Sequence, residues 1–365
     1  MPINVGLAHL SNGLLLTAVV IYAVAMLAFA CDFAFGKKRA PAVARARVRE
    51  LVSAKAAAGA ADSAVVGGPV VEAEDGLADE PLADGPGADG SGPRGAEDGA
   101  AEAVRRAGRG PVGFWVTTAV ALTCVGLALH SAGVLTRGLA VHRLPWGDMY
   151  EFVTALTCVA VAFFLGAMVR YRAYYMGLFV MASVVLVLGL AETVIYTPAG
   201  ELPPALQSYW LAIHVTAMTL ATGIFFVAAV TGVTYLVVDR HARRVAAGRP
   251  AGADGILRRL PGPAELDRLA YRTIVFGFPV WTFGVMAGAI WADYAWGSYW
   301  SWDPTETWAF ITWVVYACFL HARATAGWRG RRAAVIQLTA FVCLLFNVLV
   351  VSLIIPGQHS YAGLH

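Results

Sequence analysis

Long apolar runs alternate with short polar segments along most of the chain. Eight runs are long enough to cross a membrane as a helix, which takes about 20 mostly apolar residues: roughly 11–35, 112–136, 151–170, 173–195, 207–238, 273–292, 304–322 and 333–355. The first run ends at Cys31-Asp32 without a small-residue cleavage site, so we interpret it as a retained helix and not as a signal peptide. The pattern predicts an all-α polytopic membrane protein with about eight transmembrane helices.

One stretch interrupts this pattern, from residue 37 to residue 110. It is rich in Ala, Gly, Pro, Asp and Glu, a composition that buries too little apolar surface to fold. We therefore predict a disordered cytoplasmic linker between a first transmembrane helix at 1–36 and a seven-helix membrane domain at 111–365. A tolerated insertion is favoured over a regulatory segment.

The basic residues predict the orientation in the membrane. If the amino terminus is outside, 25 of the 27 Lys and Arg residues fall in inner segments, and only Arg137 and Arg143 fall outside. The positive-inside rule then places both termini on the outer face of a plasma membrane. It also places there the connection between the sixth and seventh helices.

That connection is unusually rich in tryptophan. Six of the eleven tryptophans lie between residues 291 and 313. An aromatic belt at a membrane interface is the simpler alternative, but a belt distributes its indoles over many helix ends. The stretch also contains a helix start, with Asp303 as N-cap, Pro304 at the first helical position and Glu306 placed for a capping box.

Three of the eight histidines stand out by predicted depth. Helix lengths place His214 and His359 at the outer level of the Trp-rich stretch, whereas His321 lies about 26 Å down the seventh helix, near the inner side. Two imidazoles across a gap are a common axial ligand pair for haem iron. Hydrogen-bonded or solvated histidines remain the alternative, and Zn²⁺ is disfavoured because no third ligand is evident.

Several function classes lack their motifs in this chain. It has no CxxC pair, no CxxCH haem-attachment motif and no GxxxxGK[ST] phosphate loop. The five cysteines all fall in predicted spans, and we interpret them as small buried hydrophobic residues. The chain also shows no Ser/His/Asp or Cys/His nucleophile constellation.

Specific segments resemble a known family. The run WSWDPTETW at 300–308, within the segment 288–308, resembles the WWD signature of the haem-handling superfamily of cytochrome c maturation. The surrounding residues resemble its system II branch, known as CcsA, ResC or actinobacterial CcsB. Further agreement lies at 142–152, 206–215, 319–323 and 357–361, so the resemblance runs from about residue 112 onward. A departure is Gln358, where the family commonly has Leu.

The resemblance implies roles for individual residues. His214 and His359 match the two outer histidines that ligate haem at the WWD surface, and His321 matches a membrane-embedded histidine that helps to bind a second haem. The residues that would hold the porphyrin are Trp291, Trp296, Trp300, Trp302 and Asp303. Asp303 is also a possible general base, although its N-cap role is the simpler account. His130 and His142 receive no role.

The implied function is that of a membrane subunit of the system II cytochrome c synthase. With a ResB-type partner it would move haem b outward and present it to the CxxCH motif of apocytochrome c, with proteins of a thiol-reducing pathway as further partners. Haem-lyase activity is expected only in that complex. The alternatives are a CcmC-type haem carrier without ligation activity and a b-type electron-transfer cytochrome.

Overall fold

The computed structural model describes residues 3–35, 113–200, 206–248, 257 and 260–359, and these contain helices but no strand. The linker predicted at 37–110 lies outside the described residues. The eight long helices, numbered α1 to α8 in chain order, are Val5–Phe35, Phe114–Ala140, Met149–Tyr171, Tyr174–Ile195, Tyr209–Ala246, Pro263–Trp296, Pro304–Ala324 and Arg331–Ile354. Helix α4 ends in the π-helical turn Ala191–Ile195, and α8 contains another, Asn347–Val351.

Seven of these helices are long and apolar enough to cross a membrane, α7 being the exception among the described residues. Helix α7 has 21 residues, and its first turn carries Glu306. The prediction of an all-α polytopic membrane protein is confirmed, with a connection at 297–303 between the sixth and seventh helices.

Two helices extend well beyond their apolar runs. Helix α5 has 38 residues and α6 has 34, or roughly 57 Å and 51 Å, against a hydrocarbon core of about 30 Å. The sequence-based boundary at residue 238 was too early for α5, because helix formation continues through the charged residues that follow. Hydropathy indicates which residues lie within the membrane, whereas the end of the helix depends on where the backbone hydrogen bonding stops.

Helix α5 lies at the centre of the bundle. Buried residues make up 72% of its most apolar window, against 28–50% for the other membrane-crossing helices. Phe225 on α5 stacks on Tyr316 of α7, with ring centroids 4.0 Å apart, and also contacts Trp281 of α6. Helix α5 is therefore packed on several sides. This packing fixes the position of the residues near its amino-terminal end.

A buried ion cluster fixes the connection between α2 and α3. The Glu151 carboxylate accepts hydrogen bonds from Arg137 Nε at 3.1 Å and from Arg143 Nη1 at 2.7 Å. The same arginines donate to the carbonyls of Thr197 and Gly200 after α4. Removing one partner of a buried ion pair costs about 3–5 kcal/mol of folding stability. The cluster therefore holds together the α2–α3 connection, the start of α3 and the segment after α4.

At the opposite end of the bundle, α6 and α7 are joined by a second ion pair. Arg323 donates to both carboxylate oxygens of Asp267, at 2.8 and 2.9 Å, and its guanidinium lies 4.4 Å from the ring centroid of Tyr271. The α6–α7 pair is thus fixed at this end by a bidentate salt bridge. Its other end carries the Trp-rich stretch.

Candidate functional site: a cleft with two histidines

The Trp-rich stretch is only partly a loop. Its first part, through Trp296, forms the last turns of α6, which ends at Gly297 with a φ of 71°. The segment 288–308 that resembles the WWD signature is therefore partly helical: helix α6 includes 288–296, and α7 begins at Pro304. The connection itself is residues 297–303, in which Trp302 has a φ of 58°. A left-handed conformation is costly for a bulky side chain and occurs most often at functional sites.

Helix α7 begins as predicted. The Asp303 side chain accepts from the backbone N–H of Thr305 at 3.0 Å, and Glu306 closes the capping box. Glu306 also accepts from the backbone N–H of Ser301 at 2.9 Å. The capping-box prediction is confirmed, and the cap holds the connection against the helix start.

His214 lies in the second turn of α5 and faces α6. Its Nδ1 is 2.7 Å from the carbonyl oxygen of Gly284. A carbonyl only accepts, so Nδ1 carries the proton, and in the neutral ring Nε2 keeps its lone pair. The imidazole stacks on Trp291, with centroids 6.1 Å apart and planes at 14°. The ring is therefore fixed in tautomer and in orientation.

His359 follows α8 and is oriented in a similar way by a carboxylate. Its Nδ1 lies 3.0 Å from Asp303 Oδ2, so Nδ1 donates and Nε2 again keeps its lone pair. The ring meets Trp291 and Trp296 edge-on, at 5.9 and 5.0 Å between centroids. Metal-ligating histidines typically donate the N–H of their other ring nitrogen to a carboxylate or a backbone carbonyl in this way.

Asp303 is the residue on which the carboxyl-terminal segment is held. Its Oδ1 accepts a hydrogen bond from the backbone N–H of Gln358 at 2.6 Å. Its Oδ2 accepts from the backbone N–H of Thr305 and from Nδ1 of His359. Burial raises the pKa of this carboxyl, but the hydrogen bonds from His359, Gln358 and Thr305 outweigh it and hold the pKa below its usual value. Asp303 is therefore ionised at neutral pH and charge-assists its contact with His359.

Both histidines line one cleft with an empty volume of ≈ 500 Å³, which includes space open to solvent. One wall is apolar and comes from α5 and α6, and the other comes from α7 and α8. The lining residues besides the histidines are Met218, Val285, Gly288, Ala289, Ala292, Tyr299, Trp300, Thr305, Glu306, Ala309 and Asn347. Within the described part of the chain, neither histidine Nε2 makes a hydrogen bond.

The predicted tryptophans occupy different places around this cleft. Trp291 is 2% exposed, beneath both imidazoles, so it supports the histidines from below. Trp296 packs on His359, and Trp300 lines the cleft. Trp302 is 69% exposed and meets Trp300 edge-on at 5.7 Å. The tryptophans therefore include one buried support and one open aromatic surface.

His321 lies away from the cleft, near the opposite end of α7. It is exposed on the surface of the described bundle, on a helix face that also carries the exposed Cys318. The structure thus separates His321 from the other two histidines, as the helix lengths predicted. Our interpretation of the cysteines as buried was wrong: Cys124 and Cys318 face outward, where lipid is a sufficiently apolar neighbour, and the other three are only partly buried.

The remaining histidines have other environments. His130 is fully buried and satisfied, since its ring nitrogens contact the carbonyl oxygen of Thr154 at 2.9 Å and the hydroxyl of Tyr22 at 3.3 Å. His142 is exposed on the α2–α3 connection, with a φ of 53°. Neither of them lines the cleft.

Sequence reasoning missed the residues that orient the histidines. Gly284 supplies the carbonyl for His214, and a Cβ at Gly288 would lie 2.5 Å from His214 Nδ1. The four-residue spacing of these glycines was a usable signal, because small residues at i and i+4 let two membrane helices approach closely. The role of Asp303 as the partner of His359 had no comparable signal.

Replacing Gly288 by alanine is expected to displace the His214 ring. The new methyl group would overlap the imidazole, and overpacking of this kind costs typically about 1–3 kcal/mol. Ligand binding in the cleft should weaken while the bundle still folds, as judged by equilibrium binding and thermal unfolding in detergent. Gly166→Ala, where a Cβ meets nothing within 4 Å, is the control. Equal binding by the two variants would contradict this placement of His214.

Fold and site together define a class of protein. It is a polytopic helical membrane protein whose helix α5 and segment after α8 bring two oriented imidazoles to one aromatic cleft. Residues 146–359 match the profile of the family described as Cytochrome C assembly protein. The chain belongs to that family.

Curated relatives named "Cytochrome c biogenesis protein CcsA" agree with this assignment. The protein from Gloeobacter violaceus is 34% identical over 284 residues, which span 65% of this chain and 84% of that protein. That from Parasynechococcus marenigrum is 33% identical over 279 residues, 69% of this chain and 90% of that one. That from Chlamydomonas reinhardtii is 43% identical over 163 residues, 45% of this chain and 43% of the algal protein.

Proposed function

We propose that this chain is the membrane subunit of a system II cytochrome c synthase, which holds haem b in the His214–His359 cleft and presents it to apocytochrome c. The observation that supports this most strongly is the matched state of the two imidazoles. Each donates from Nδ1 to a fixed acceptor and keeps Nε2 for a ligand. Neutral imidazole nitrogens are the usual axial donors to haem iron.

The rest of the cleft fits a flat apolar ring with a metal at its centre. Its α5–α6 wall is built of small and apolar side chains, and Trp300 adds an aromatic edge. Among the described lining residues no Lys or Arg is present. The haem carboxylates would therefore face the open side of the cleft.

In this proposal the chain contributes positioning, and haem is the substrate. The thiol sulfur of a CxxCH cysteine bonds to the inner carbon of a haem vinyl group, and the thiol proton goes to the outer carbon. The addition is redox-neutral and forms one thioether for each cysteine. Holding both reactants in place supplies much of the rate. The CxxCH histidine replaces one of the two imidazoles, so release of the product is a ligand exchange.

His321 belongs to a second haem site in this proposal. Its exposed position on the described bundle suits a site completed by another chain, because an ionisable group facing lipid is expensive. A ResB-type membrane protein is the proposed partner and supplies the opposite ligand. Haem enters there from the inner side, and the cleft lies on the outer face of the plasma membrane, as the Lys and Arg distribution predicts.

The test is co-expression of this chain and a ResB-type partner with a secreted CxxCH reporter. Covalent haem on the reporter is expected only when both membrane chains are present, because the inner site needs its partner. Haem staining after denaturing electrophoresis measures the product. A reporter with both cysteines replaced is the matched control.

Two other functions give different outcomes in the same experiment. A CcmC-type carrier would bind haem and leave the reporter unmodified even with the partner. A b-type electron-transfer cytochrome would keep its haem, and that haem would be reduced reversibly whether or not the reporter is present. A haem spectrum with no covalent product in the two-chain strain would rule out the synthase.

A further inference from the structure

Asn347 presents a buried amide to the cleft, and the proposed function so far leaves that amide without a role. The residue is 5% exposed, lies at the start of the π-helical turn in α8 and lines the cleft with His214 and His359. Its Nδ2 donates to the carbonyl oxygen of Thr305 at 3.2 Å. Its Oδ1 is buried and has no hydrogen-bond partner among the described residues.

An unpaired buried oxygen of this kind is unusual. Buried polar atoms nearly always have a partner, and an exception calls for an explanation. Because Nδ2 donates to Thr305, the atom of this amide that is left without a partner among the described residues is the acceptor Oδ1. Single π-helical turns also occur most often at functional sites. Together these features describe a subsite for a hydrogen-bond donor.

We propose that Asn347 Oδ1 accepts a hydrogen bond from one of the two CxxCH thiols and orients that thiol toward haem held in the cleft. This inference rests on the proposed function. Haem itself offers vinyl groups and carboxylates, which do not donate, so the donor comes from the incoming peptide. A cysteine side chain is small enough to reach a buried acceptor, whereas the peptide histidine is directed to the iron. The hydrogen bond positions the thiol and leaves the balance of the addition unchanged.

Because Asn347 Oδ1 can orient only one of the two thiols, the test compares the two cysteines of the reporter separately. Asn347→Leu removes the acceptor at similar volume, and Asn347→Asp keeps an oxygen there while losing the donor to Thr305. Both are expressed as the full chain with the ResB-type partner. The reporters are CxxCH and its two single-cysteine forms. The haem spectrum of the membrane complex is recorded beside the covalent yield.

The leucine variant should keep the haem spectrum and lose about three- to tenfold of the covalent yield, the effect of one neutral hydrogen bond. The loss should fall mainly on one of the two single-cysteine reporters, and Asn347→Asp should retain more than half of the yield. Equal losses on both reporters, an unchanged yield, a lost haem spectrum, or an aspartate variant as poor as the leucine variant would each overturn the assignment.

Gln337→Leu is the matched control on the same helix. It also removes a buried amide, which donates to the carbonyl oxygen of Ala228 at 2.7 Å, far along α8 from the cleft. Its effect should be equal on both reporters, and a shifted ratio there would overturn the inference. Absence of product from the wild-type pair would instead contradict the proposed function itself, so the two failures are distinguishable.

Discussion

Replacing either His214 or His359 by glycine is expected to abolish the paired-histidine haem spectrum and the covalent cytochrome product. Each variant removes a donor nitrogen, and no other nitrogen ligand lines the described cleft. Loss of an outer-shell partner of a metal ligand costs about 10–100-fold, so loss of the ligand itself should cost more. Absorption spectra of the purified complex and haem staining of the reporter measure the two effects.

Adding imidazole to the buffer tests whether the lost side chain acted as a haem ligand. Glycine leaves space for it, so added imidazole should restore the spectrum in both variants, since the surrounding contacts are retained. His9→Gly, which replaces an exposed histidine on α1, is the control and should behave as wild type. An unchanged spectrum in either cleft variant would refute the assignment of that histidine.

The arrangement of the helices followed from the sequence because two simple rules act on it. Apolar runs of membrane length predicted the eight helices, and the Asp303 cap predicted where α7 begins. Counting residues along α5 and α7 then separated His214 from His321, since rise per residue is nearly constant in a helix. The depth of a residue along a helix depends only on its position in the sequence, so it could be predicted.

The sequence did not contain the details of the cleft in the same way. The contact between Asp303 and His359 joins residues 56 positions apart, and it depends on how α7 and α8 pack. Trp291 packs against the imidazole of His214, a contact that could not be predicted from the sequence because the rotation of α6 is set by its packing on α5. The unpaired oxygen of Asn347 is visible only once its neighbours are known.

Asp303→Asn is expected to weaken haem binding about 10–100-fold while the fold is kept. Asparagine is as good an N-cap as aspartate, so α7 should begin at the same residue. The carboxylate, however, uses two oxygens for three donors, at Gln358, Thr305 and His359. An amide has only one oxygen, so its NH₂ group must face a donor and His359 loses its fixed orientation. Titration of the detergent-solubilised complex with haem measures the affinity.

A matched control exists at another helix start. Asp148 is the N-cap of α3 and accepts from the backbone N–H of Glu151 at 2.8 Å, with no histidine contact among the described residues. Asp148→Asn should therefore leave the haem affinity close to that of the wild type. Equal affinity for the Asp303→Asn variant and the wild type would show that Asp303 only caps the helix.

The pH dependence of folding stability tests the charge of Asp303. Its pKa in the folded protein lies below the ordinary value of 3.8, so its contribution is fully present above that value and is lost as the pH falls through the folded pKa. The stability advantage of the ligand-free wild type over Asp303→Asn should therefore persist from neutral pH to about pH 5 and disappear only in stronger acid. Thermal unfolding of both proteins in detergent measures this advantage, and its loss near pH 6 would contradict an ionised Asp303.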